Sequence, residues 1–408
     1  MLMSREAPLP FTARLGDRSI FPELAPRAYL NHGGISPPSA AVRHAMNMLL
    51  NDYSHHGAGA FTTWSDQRAR LKHKLAKLIG ARAEDIALAP NTTQGIAMVS
   101  LCFPWRPRDR VVVFEGEFPS NVTPWQRAAA LFDLEVTMLP LTPFGTSNAA
   151  GLELLERELT RGVRLVAVSA VQFQSGLRMP LAAMAERCHA HGAELFVDGV
   201  QACGAVPLDV GATNIDYLAC GSHKWLMGLE GAGFLYVHPD RAGALRPHFA
   251  GWLSHEECFR FLFEGEGHMR YDRPIRKSAD FLEIGNCNGA GFAGLEASLD
   301  LILSLGVTEI YAHVNSYLDA LEEGLLMRGF TSLRAREPER RSCTLGVLPP
   351  ASRGVTTVAL YPELSGRGVA CATPDGVLRF TPHWPNHLDE VPFVLAMVDE
   401  GVTALMGR

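Results

Sequence analysis

None of the eight cysteines (Cys102, Cys188, Cys203, Cys220, Cys258, Cys287, Cys343 and Cys371) forms a C-x-x-C pair, and most lie in apolar segments. That pattern disfavours both a disulfide framework and a zinc site, and reads instead as thiols used as small core hydrophobes. The one cluster that suggests a metal, "CHAHG" (Cys188, His189, His191), crowds a helix end, where histidines favour the helix dipole and the i,i+4 ligand spacing is missing. No stretch of about 18 uncharged apolar residues occurs, and the first residues lack a signal-peptide core, so a cytoplasmic protein without a membrane span is expected. Blocks of like charge are absent too. Lys+Arg total 37 against Asp+Glu 43, interspersed to a formal charge of −6, which disfavours nucleic acid and anionic membrane as partners. The first βα turn has no G-x-G-x-x-G, which removes the usual dinucleotide fingerprint. There is no internal repeat and no low-complexity segment.

What is present is apolar surface in alternating patterns. The chain has 408 residues, 47% of them hydrophobic, enough for a large core. "SDQRARLKHKLAKLIGARAED" carries apolar residues at helical spacing and stops at Gly80. Strand and helix patterns then alternate from "DIALAP" to "GAGFLYVH", and the strands are apolar throughout, as expected where helices cover both faces of a sheet. The fold class expected is α/β: a doubly wound, mostly parallel sheet over 20–285, with a smaller α+β C-terminal domain over 286–408 that also takes 1–19. The stretch 250–280 fits neither pattern.

Open parallel sheets bind ligands at the carboxyl ends of their strands. Asp198 ends "AELFVD", Lys224 follows "DYLACGSH", and Thr92 and Thr93 open a helix after "DIALAP". A lysine backed by apolar walls has a lowered pKa and offers a neutral amine for a Schiff base. A carboxylate on a neighbouring strand could keep a pyridine nitrogen protonated, and a helix start with two hydroxyls is a seat for a dianionic phosphate. Amine, carboxylate and phosphate seat together describe pyridoxal 5'-phosphate.

At these residues the chain resembles the aminotransferase class V family of pyridoxal-phosphate enzymes, the fold type I group that includes cysteine desulfurases, isopenicillin N epimerase and kynureninase. The likeness runs in family order through "YLNHGGISPP", "PNTTQGIAMV", "EGEFPSNVTPW", "SAVQFQSGLRMPL", "AELFVDGVQACGAVPLDV", "DYLACGSHKWLMGLEGAGFLYV", "LEIGNCNGAGFAGLEASLDLI" and "GVLRFTPHWPN". It implies that Lys224 carries the cofactor and shuttles protons, and that Asp198 pairs with the ring nitrogen. It further implies Gln201 at the ring hydroxyl, His223, Thr92 and Thr93 at the phosphate, and Phe118 stacked on the ring. Arg379 matches the arginine that takes a substrate carboxylate, and Asn31 and His32 match a segment lining the substrate entrance.

Departures from the family pattern are informative. Phe173 stands where desulfurase-type relatives have an asparagine. Gly221 replaces a serine often found two residues before the histidine, leaving Ser222 as the hydroxyl beside His223. Gly285-Asn286 replaces the Gly-Thr that reaches the phosphate of a neighbouring subunit, a role then falling to Asn286. Cys371 lies eight residues before Arg379, too close for the usual sulfur-accepting loop, and reads as a small residue at a strand edge. On family base rates the expected activity is amino-group transfer on a small amino acid. The alternatives are β-elimination, of the C–S lyase type, and epimerisation, for which His32 or a residue of "NDYSHHGAGAF" is the visible second acid. A homodimer is implied by the resemblance.

Overall fold

A computed structural model describes residues 10–407 of the chain. Its centre is a seven-stranded sheet in the order β2-β8-β7-β6-β5-β3-β4. The strands are β2 (Ile86–Ala89), β3 (Arg110–Phe114), β4 (Glu135–Leu139), β5 (Val163–Ser169), β6 (Glu194–Asp198), β7 (Tyr217–Gly221) and β8 (Gly233–Val237). Only β8 runs against its neighbours, so the carboxyl ends of the other strands open on one edge. Runs such as Val111 to Phe114 and Leu195 to Val197 are fully buried, which explains their unbroken apolar character. A doubly wound α/β fold is what the sequence pattern led us to expect.

Helix α1 (Ala40–His56) leads to α2 (Phe61–Ile79), which ends on Gly80 in the left-handed conformation (φ 69°). A Cβ there would meet the Asp209 carboxylate at 2.6 Å, so only glycine closes this helix without strain. Helix α3 (Thr92–Cys102) is capped by Asn91, whose side-chain oxygen accepts from Gln94 N. The long apolar helix Gly289–Leu305 packs across α1 and α2. No single helix is long and apolar enough to cross a membrane among the described residues.

Towards the C-terminus an antiparallel sheet has the order β12-β10-β9, from β9 (Thr331–Ser332), β10 (Leu345–Leu348) and β12 (Leu378–Phe380). Beside it, β1 (Ala28–Tyr29) pairs in parallel with β11 (Val369–Ala370), and Asn31 bridges to Thr381. Part of the N-terminal chain is therefore built into the C-terminal region. Of the segment 1–19 assigned to the small domain, 1–9 lie outside the described residues. The stretch 250–280 is an irregular excursion, closed by a bridge between His255 and Ile275 and by the Arg273–Glu257 ion pair.

Candidate active site

Strand pairing fixes the polar groups at the open sheet edge. Asp198 is the last residue of β6, in register with Ser169 of β5 and Ala219 of β7, and the turn leaving β7 carries His223 and Lys224. Asn91, Thr92 and Thr93 arrive at the start of α3, and Arg379 arrives from β12. These meet in a cavity of about 440 Å³ that is also lined by Phe118, Phe173, Gln201, Ser120, Glu230, Gly33 and Gly34. A larger cavity of about 680 Å³, lined by residues such as Leu78, Met179 and Val206, lacks this combination of amine, carboxylate and helix start.

Burial sets the electrostatics. Lys224 is held below the usual lysine range, first by desolvation and then by Arg379, with Asp198 acting in the opposite direction. Asp198 is pushed up to about 7 by burial, with Glu117 adding to the rise while Val200 N–H and Lys224 oppose it. Arg379 is lowered to about 10 by burial, which leaves it charged at neutral pH. Its Nη1 donates to Phe173 O at 2.8 Å, and its buried Nε has no partner. The Lys224 Nζ lies 5.4 Å from the centroid of the Phe118 ring, which meets Phe173 edge-on at 5.5 Å.

The helix start is preorganised for an anion. Thr92 Oγ1 accepts from Gly221 N at 2.8 Å, which ties α3 to the end of β7, and Thr93 Oγ1 lies 2.7 Å from Ser120 Oγ. Gln201 is locked on both sides of its amide: Nε2 donates to Gly33 O at 3.0 Å and Oε1 accepts from Trp225 Nε1 at 2.8 Å.

Three residues expected at the site, Ser222, His32 and Asn31, lie elsewhere. Ser222 is fully buried and donates to Leu229 O at 2.6 Å, bracing the turn that carries Lys224, because its side chain leaves the chain on the side away from the cavity. Asn286, expected to reach the phosphate of a neighbouring subunit, lines a second cavity of its own chain with Trp252, Phe61 and Cys287. His32 is sealed under the site, its Nδ1 2.8 Å from Ser36 Oγ. Asn31 sits beside it, with its side-chain oxygen buried and unpartnered, and does not line the cavity.

Some relevant residues carry little or no local sequence signal. Glu117 accepts from Ser169 N at 2.7 Å, from Gln172 Nε2 at 3.0 Å and from the Ser169 hydroxyl. Its one signal was its place just before Phe118, after β3. Ser36 and His383, which hold the Lys224 turn from behind, had none.

The residues fit pyridoxal phosphate on the structure's own terms. A neutralisable amine, a buried carboxyl lacking an adjacent cation strong enough to keep its pKa normal, and an open helix start face one cavity. The model of the class-V aminotransferase family matches residues 29–369. A curated relative named cysteine desulfurase, from Dickeya dadantii, is 32% identical over 324 residues, covering 78% of this chain and 73% of that one. A Bacillus subtilis protein named uncharacterized aminotransferase YcbU is 26% identical over 390 residues, covering 92% and 94%. Among solved structures, the cystine C–S lyase C-DES in complex with cysteine persulfide aligns with a TM-score of 0.83 at 23% identity, over 93% of this chain and 99% of that one, a likeness of fold.

Proposed function

The chain belongs to the class-V aminotransferase family and its cofactor is pyridoxal phosphate, and from that premise we propose that it cleaves the C–S bond of a small sulfur-bearing amino acid by β-elimination. Amino-group transfer, the expectation from family base rates, is supported less well: relatives at 30% identity or above carry the name cysteine desulfurase. The observation that carries the reading further is the position of Cys371. It is buried, its thiol is pushed up to about 12, and no cysteine lines the cavity among the described residues. With no thiolate to accept sulfur, the sulfur leaves with the product. The net reaction is then a β-thio amino acid plus water giving a thiol, pyruvate and ammonia.

Pyridoxal phosphate supplies an electron sink for the charge left at the substrate's α-carbon. Lys224 would hold the cofactor and, with its pKa lowered by burial, take the α-proton as a neutral amine. Asp198 would pair with the ring nitrogen, Gln201 with the ring hydroxyl, and Phe118 would cover the ring. Thr92, Thr93 and His223 would hold the phosphate. Arg379 would take the substrate carboxylate through its fork, in a wall that Phe173 keeps apolar on one side. Epimerisation loses its first candidate acid, since His32 is sealed away. In "NDYSHHGAGAF", Tyr53 and Phe61 line the other cavity.

We take the working form to be a cytoplasmic homodimer. Exposed Met48, Leu50, Tyr53, Leu262 and Phe263 support this, being apolar surface that a second copy would cover and, in part, the rim of the cavity holding Asn286. Sedimentation of the loaded protein tests it, with monomer at micromolar concentration counting against.

The reaction is tested by incubating the cofactor-loaded protein with cysteine, cystine and other amino acids. Thiol, pyruvate and ammonia should appear together. A keto acid that retains the substrate's sulfur, formed without ammonia, would establish amino-group transfer instead.

A further inference from the structure

Three consecutive carbonyl groups, those of His223, Lys224 and Trp225, are each held by a donor from outside their turn. Ser36 N donates to His223 O at 2.7 Å. The Ser36 hydroxyl donates to Lys224 O at 2.7 Å. His383 Nε2 lies 2.8 Å from Trp225 O, while its Nδ1 accepts from Trp384 N at 2.7 Å, so the proton must sit on Nε2 and that nitrogen is the donor. The Ser36 hydroxyl has spent its only proton on Lys224 O. Its contact with His32 Nδ1 at 2.8 Å is then a bond from a protonated Nδ1. Both imidazoles are fully buried, and burial lowers the pKa of each, which keeps them in these neutral forms.

The donors themselves come from two segments that are stitched together. Thr381 N donates to Leu30 O at 2.8 Å, His32 N to Thr381 O at 3.1 Å, and Gly33 N to Thr381 Oγ1 at 3.0 Å. Arg379, Thr381 and His383 alternate along one extended segment, so their side chains share a face. From that face Arg379 reaches the cavity, Thr381 holds Gly33, and His383 holds Trp225. Gly33 O in turn takes the Gln201 amide, and Gln201 takes the Trp225 indole, closing the circuit.

We propose that Ser36 and His383 are positioning residues that clamp the backbone of Lys224, and that the segment from Arg379 to His383 links the seat of the substrate carboxylate to the placement of the lysine amine. This rests on the reading of Lys224 as the amine that meets cofactor and substrate. A side chain with four rotatable bonds aims its amine only as well as its backbone is held.

Ser36→Ala removes the hydroxyl with the smallest change in volume, and Ser36→Thr restores it. His383→Phe removes both ring bonds, and His383→Gln returns a donor. Amide exchange over residues 222–228 is read in the cofactor-free protein, and the visible circular dichroism of the bound cofactor, kcat and KM in the loaded one. In Ser36→Ala and His383→Phe, exchange should quicken and kcat should fall, each roughly tenfold, with a weakened visible band and KM within about twofold. Ser36→Thr and His383→Gln should recover most of this. Unchanged exchange and dichroism in Ser36→Ala would overturn the clamp. So would losses that follow melting temperature alone, with no recovery in the conservative variants. If the parent protein fixes no cofactor on Lys224, the reading of the site fails, while the exchange comparison still decides the clamp.

Discussion

The Trp225 indole donates to the Gln201 side chain at 2.8 Å, so the residue after Lys224 is bound to the loop that follows Asp198. Amine and carboxylate are thus carried on turns fastened to each other, independently of the lysine side chain itself. Lys224→Ala should therefore leave the cavity intact and still bind pyridoxal phosphate non-covalently. Borohydride should fix no cofactor in this variant, and kcat should drop by roughly 10²–10⁴. Fixation at another lysine would move the assignment.

Asp198 has the unusual carboxyl. Its folded value of about 7 lies above its ordinary 3.8, so between those pH values the folded cofactor-free protein binds the extra proton and the unfolded chain does not. Stability of the cofactor-free protein therefore declines as pH rises from about 4 to about 7, by up to about 4 kcal/mol from this group. Asp198→Asn should flatten that slope in pH-dependent denaturant titrations, and bound cofactor should flatten it in the parent by supplying a cation. Equal slopes in parent and variant would contradict the shift.

Arg379 is buried and charged with an unpartnered Nε. Arg379→Ala should raise KM roughly 30-fold or more, because the substrate carboxylate then enters a buried site unpaired. Arg379→Lys should recover only part, since a point charge replaces a fork. A substrate amide in place of the acid should be insensitive to either change.

Cys371 separates release of sulfur from its transfer. In Cys371→Ala, thiol production should stay within about twofold of the parent, with a stability cost of about 1 kcal/mol from the small cavity. Loss of thiol release from a variant that melts normally would make this buried thiol the sulfur acceptor.

The phenylalanines at 118 and 173 also have a measurable consequence. Their edge-to-face contact puts an apolar wall beside Lys224. Phe118→His should raise the polarity around the amine, shifting the visible absorption of the loaded protein and weakening cofactor retention by roughly tenfold.

The legible parts were those governed by neighbours in the chain. Apolar runs bounded by turns give the strands, and the period of the helices gives their buried faces. The strand-end rule therefore placed Asp198, Gln201, Lys224, Thr92, Thr93 and Phe118 before any coordinates, and the family likeness added His223 and Arg379 to the same cavity. Only tertiary structure could decide that Asn31 bridges to Thr381 and His32 is buried against His383, that Ser222 braces its own turn, that Asn286 lines another cavity of its own chain, and that Glu117 reaches Ser169. The reason is physical: Gly33 and Thr381 are 348 residues apart, and which of a chain's many unpaired donors such a residue meets depends on how the whole chain closes. Local propensity holds no record of that closure.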